Sequence, residues 1–163
     1  MTKGRRESSI APECTPTLFD RLVSPRDGSG AHIGRMAYQR SVIRDLSWLL
    51  NSTRFDSVAD LESFPGVAGS VLNYGIPAAA GVAVSEFDLK QVAEGIRQAI
   101  LRFEPRVLPD SLEVSLKSDF DANAHNRVCF GIRAALWFEP RPLDVAISAQ
   151  WDAETGTVQL REE

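Results

Sequence analysis

The hydrophobic period of this chain changes once, and that change constrains the fold more than any other feature. Over 85–103, Leu89, Val92, Ile96, Ile100 and Phe103 recur at helical spacing, while Lys90, Glu94, Arg97 and Arg102 fall mostly elsewhere. Ser85 and Asp88 stand at capping-box spacing. Pro105 disfavours helical backbone at Glu104 and ends the element. Downstream the period becomes two. In 111–118, Leu112, Val114 and Leu116 alternate with Glu113, Ser115 and Lys117. In 127–138, Val128, Phe130, Ile132, Ala134, Leu136 and Phe138 share one face. Leu143, Val145, Ile147, Ala149 and Trp151 do the same in 143–151, and "TVQLR" follows at 157–161 after the turn "DAETG". Such alternation leaves one face buried and one wet, which favours antiparallel strands. The expected fold is α+β: N-terminal helices packed on one face of an antiparallel β-meander, in a single two-layer domain. Ile96 and Ile100, in mid-stripe, are expected in its core.

Upstream the pattern is helical but less regular. "TLFDRLV" (17–23) offers Leu18, Phe19, Leu22 and Val23 as the apolar face of a turn or two. "SPRDGSGAHIG" (24–34) reads as a loop. Over 37–51, Val42, Ile43, Leu46, Leu49 and Leu50 form a helical stripe with Arg40, Arg44 and Asp45 on the other face, and the helix ends near Asn51. Short helical pieces are expected over 56–77, with Ser63 as a cap, Pro65 in the first turn and Gly75 as a stop. Residues 1–16 are polar and carry proline, so the expected organisation is a disordered tail at 1–16 and one domain at 17–163.

Charge and cysteine usage exclude several function classes. The net charge of −4 is uneven: residues 1–35 hold six Lys/Arg against four Asp/Glu, and the remainder twelve against eighteen. An acidic body argues against nucleic acid as the main partner. No apolar run is long enough to cross a bilayer, and the N-terminus lacks the apolar stretch of an export signal. Cys14 and Cys129 have no metal-like spacing and make no disulfide framework. A reducing, cytoplasmic location is expected.

"FEPR" occurs twice, at 103–106 and 138–141. The preceding units, "AILR" closing a helix and "AALW" closing a strand, have different periods, so the tetrapeptide is no duplicated element. As a carboxylate pair, Glu104 and Glu139 suit a hydrolase poorly. Each has an arginine two residues on, which opposes the raised pKa a general acid needs. As corners, both are plausible: proline fixes the backbone, and in extended chain the acid and the arginine project to one side. The plainer alternative is a helix stop at 104–106 and a strand linker at 139–141, with solvated charges; on the residues alone the plainer reading leads narrowly at 104–106 and clearly at 139–141. An exposed pair contributes only about 0–1 kcal/mol, so Arg106→Ala is expected to leave the domain folded.

Other chemistry is sparse. His32 and His125 lie in polar loops without ligand spacing, and Asp119, Asp121 and Asp152 sit in turn-like segments. No phosphate-binding, nucleophile-elbow or dinucleotide motif occurs, so no catalytic residue, cofactor or metal is assigned. Trp48 and Trp151 are expected in the core. Trp137 falls on the opposite strand face with Arg127 and Arg133, as a partner contact or half-covered.

Taken in order, "TLFDRLV", "SVIRDLSWLLNSTR", "FPGVAGSVLNYGIP" and the helix ending "AILRFEPRV" resemble the TssE branch of the gene-25-like baseplate wedge family, over residues 17–161. "LNYGIP" (72–77) and "EPR" (104–106) are the most specific pieces. The resemblance implies a non-catalytic baseplate subunit of a type VI secretion system. Its expected neighbours are TssF, TssG and TssK, beneath a contractile sheath of TssB and TssC whose polymerisation it helps to start. It assigns partner binding to Glu104, Pro105 and Arg106, and does not extend that role to 139–141. The alternatives are a peptidoglycan hydrolase, an old label in this family, and a wedge subunit of a phage tail or extracellular injection device.

Overall fold

The computed structural model describes residues 14–23, 33–78, 89–117, 127–152 and 154–163. Helices α1 (Leu18–Val23), α2 (Arg35–Leu50), α3 (Pro65–Ala68) and α4 (Leu89–Phe103) precede strands β1 (Glu113–Leu116), β2 (Arg127–Leu136), β3 (Leu143–Asp152) and β4 (Val158–Glu162). The strands form one antiparallel sheet in the order β1-β2-β3-β4, a meander. The α+β architecture inferred from the change of period is therefore the observed one.

The core lies between the sheet and two helices. From α2 come Val42, Leu46, Leu49 and Leu50; from α4 come Ile96, Ala99 and Ile100. The alternating faces of β2 and β3 meet them, and the two central strands bury every residue that the period of two marked. Trp151 and Phe130 are the largest side chains sealed there. The edge strand β1 is weaker. It spans four residues, because Pro109–Ser111 turns in a 3-10 helix, and Leu116 is exposed.

The 56–77 region is a chain of short turns: 3-10 helices at Phe55–Ser57 and Val71–Asn73, with α3 between them. Pro65 occupies the first turn of α3, but Phe64 is the capping residue and Ser63 lies outside the helix. Asn73, buried, fastens the region. Its amide donates to the Asp56 carboxylate at 3.1 Å and the Ala68 carbonyl at 3.2 Å, while its oxygen accepts from Asp56 N–H at 3.0 Å. Gly75 is not a helix stop. Its φ is +122°, and any Cβ would run into the Ser52 carbonyl, where Ile76 N–H donates to that oxygen at 2.9 Å. Close approach of two backbones, in a conformation closed to L side chains, is why glycine stands there.

Asn51 ties the end of α2 to the last strand. Its side chain donates to the Val158 carbonyl at 2.8 Å and accepts from Val158 N–H at 2.9 Å, as a neighbouring strand would. Cys14, at the end of the segment read as a tail, is buried and exchanges two backbone hydrogen bonds with Ile33. Residues 1–13, most of the 24–34 loop, the capping pair Ser85 and Asp88, both histidines, Asp119 and Asp121 lie outside the described residues.

Candidate functional site: an ionic chain at the helix-to-sheet corner

Pro105 ends α4 as expected, two residues after Phe103. The next three residues run straight into the sheet. Trp137 N–H donates to the Arg106 carbonyl at 2.7 Å, Val107 bridges Leu136, and Leu108 N–H donates to the Ala135 carbonyl at 2.9 Å. The corner is thus fixed on one side by a helix and on the other by the end of β2.

Glu104 and Arg106 do project together, but inward. Arg106 Nε and Nη2 donate to the two Glu104 oxygens at 2.7 and 2.5 Å, and Arg106 N–H adds a third bond at 3.1 Å. The Glu104 side chain is 4% exposed and that of Arg106 17%. The fork continues into α2: Nη1 donates to Ser41 Oγ at 3.2 Å and Nη2 to Asp45 at 2.6 Å. The guanidinium also lies 6.0 Å from the Tyr38 ring centroid. Burial would lower the Arg106 pKa, but Glu104 and then Asp45 outweigh it and raise it above its ordinary value. The expectation of an exposed pair is corrected here. A bidentate contact closed by helix, sheet and α2 is a buried ion pair, and its loss carries a different cost.

Asp45 passes the chain of charge outward. Arg44 Nε and Nη2 donate to its other oxygen at 2.9 and 2.7 Å, and Arg44 Nη1 donates to Asp20 of α1 at 2.5 Å. Asp20 is held below the usual carboxylate range, chiefly by the Arg44 hydrogen bond against an opposing effect of burial. Thr17 orders the same carboxylate from below, donating to Asp20 at 2.7 Å. Five charges, Glu104, Arg106, Asp45, Arg44 and Asp20, thus alternate in sign from the core to the surface.

Trp48 is 47% exposed, not in the core. It meets the Phe19 ring edge-on at 5.2 Å, and Arg44 lies 4.9 Å from its centroid. Sequence reading put Arg40, Arg44 and Asp45 together on a solvent face. It missed the chain because Asp45 and Arg106 lie sixty-one positions apart, and only packing brings them into contact. An arginine adjacent to an aspartate on a helix was the visible signal.

The second "EPR" has no such setting. Glu139, Pro140 and Arg141 are all exposed in the β2–β3 hairpin, beyond the buried Phe138. Tyr38 donates to the Trp137 carbonyl at 2.7 Å at the base of that hairpin, and burial pushes its hydroxyl up to about 12. Trp137 itself is exposed and Trp151 is buried. Among the described residues there is no cluster of three metal-binding side chains, and no helix is long and apolar enough to cross a membrane.

No curated protein and no solved structure matches the chain. The family model for baseplate wedge protein gp25 matches residues 36–159, which run from the first turn of α2 into the start of β4 and include Asp45, the corner and strands β1 to β3. That span is well over half of the sequence, so the chain belongs to the gp25 baseplate wedge family.

Proposed function

We propose that this protein is a non-catalytic, cytoplasmic subunit of a type VI secretion baseplate, a TssE-like wedge component. In this reading it binds TssF, TssG and TssK and helps start the TssB–TssC sheath. The family match over 36–159 carries the proposal. Glu104, Pro105 and Arg106 are the partner-binding corner. Pro105 is exposed at its tip, and the buried pair behind it keeps the tip rigid. Rigidity of this kind reduces the ordering cost of association.

A peptidoglycan hydrolase is disfavoured by geometry. Both Glu104 oxygens accept from Arg106 and the side chain is closed off, so it offers no oxygen to a glycosidic bond. Membership of a baseplate wedge family keeps a phage-tail or extracellular injection device as the second reading. The test is co-purification with TssF and TssG encoded beside it, together with sheath formation in cells lacking it. Stable association and loss of sheaths are expected. Solubilisation of purified peptidoglycan by the protein, or neighbouring genes for a phage tail, would overturn the assignment.

A further inference from the structure

We infer that α1 and the exposed side of α2 form a docking face for an acidic amphipathic helix of a partner protein. The inference rests on the baseplate reading for the partner's identity, which is TssF or TssG. Helix α1 buries none of its residues. It is held to the body by the Asp20–Arg44 ion pair and the contacts of Phe19 with Trp48 and Arg44. Those contacts leave Leu18 69% and Leu22 76% exposed, one helical turn apart, with Val23 and Met36 also exposed. Residues four apart share a helix face, so the two leucines present one ridge.

Charge selects the occupant. Helices α1 and α2 together carry Arg21, Arg35, Arg40 and Arg44 against only Asp20 and Asp45, in a chain of net charge −4. Both aspartates are already engaged, Asp20 by Arg44 and Asp45 by Arg44 and Arg106. Arg21, Arg35 and Arg40 are exposed; Arg21 lies in α1 between the two leucines, and Arg40 shares a surface pocket with Asp20 of α1. A basic rim around leucine and tryptophan fits a helix with leucine-type anchors on one face and carboxylates flanking them. The chain's own N-terminus is a poor occupant. Residues 1–13 carry Lys3, Arg5 and Arg6 against Glu7 and Glu13, with Ile10 as the one branched aliphatic side chain. An anionic membrane is a poor one too, because interfacial binding scales with buried apolar area and a six-residue helix offers little of it.

The experiment measures binding of the full chain to purified TssF–TssG. It compares wild type, the double variant Leu18→Glu/Leu22→Glu and the double variant Arg21→Glu/Arg40→Glu. All four side chains are exposed, so thermal unfolding should stay at the wild-type midpoint while each double variant weakens binding at least tenfold. A photo-crosslinker at position 22 should join an acidic amphipathic segment of TssF or TssG. Retained affinity in both variants overturns the inference and leaves the baseplate reading standing; no association of wild type overturns both. Crosslinking to residues 1–13 or to a second copy, or co-sedimentation with phosphatidylserine vesicles, also overturns it.

Discussion

The two E-P-R corners share three residues and almost nothing else. At 104–106 the acid is sealed and the arginine reaches Glu104, Ser41 and Asp45. At 139–141 the same residues stand in water at the tip of a hairpin. The difference comes from what precedes and follows. A helix packed on the sheet delivers Glu104 into the layer between them, and the residues after Pro105 hydrogen-bond to β2. A hairpin delivers Glu139 away from that layer. Identical local chemistry is therefore structural in one place and solvated in the other.

The sharpest way to break this comparison is paired truncation. Arg106→Ala leaves a buried Glu104 without its partner and should cost about 3–5 kcal/mol, the range for half of a buried pair. Arg141→Ala should stay within about 0.5 kcal/mol of wild type. Urea unfolding of the two variants measures both, and equal losses would erase the distinction. Because Arg106→Ala destabilises the fold, its effect on assembly is read with Arg106→Lys, which keeps the charge and loses the fork.

A smaller effect tests how far the first corner extends. Asp45→Ala removes the charged hydrogen bonds from Arg106 and Arg44 and should cost about 1.5–3 kcal/mol. In a double-mutant cycle, Asp45→Ala and Arg106→Ala should be non-additive by at least 0.5 kcal/mol, roughly the threshold for residues in contact. Additive losses would mean that the chain of charge is only a set of neighbours. Asp45→Ala paired with Arg141→Ala should add simply.

The smallest effect is acid detachment of α1. Asp20 has a folded-state pKa below its ordinary 3.8, so its stabilising contribution is complete above that value and is lost as pH falls through the folded one. Trp48 fluorescence should report release of Phe19 and Arg44 below about pH 4, before global unfolding. Asp20→Asn should abolish that early change, and its persistence in the variant would place the transition elsewhere.

Much of the fold was legible because it rests on periodicity. The stripe ending at Phe103 and the alternation in β2 and β3 each specify a buried face whatever the partner, and Ile96, Ile100 and Trp151 lie where those faces put them. Legibility fell where an element is short or its environment is remote. Ser63 and Gly75 were read from local turn chemistry. The actual cap is Phe64, and Gly75 answers to the Ser52 carbonyl, twenty-three positions away. Trp48 was read as core from its apolar neighbours in sequence, yet it faces outward to Phe19 and Arg44.

By itself the sequence determined the order of helices and strands, the faces that α4, β2 and β3 bury and the end of α4 before Pro105. These follow from side-chain period and from the fixed backbone angle of proline, both properties of consecutive residues. Only the tertiary structure decided which E-P-R is buried, which carboxylates share Arg106, and that α1 presents leucines to solvent. Those outcomes depend on desolvation and on distances between residues far apart in the chain. A charge is neutral in its effect or costly according to what packs over it, and no local pattern specifies that.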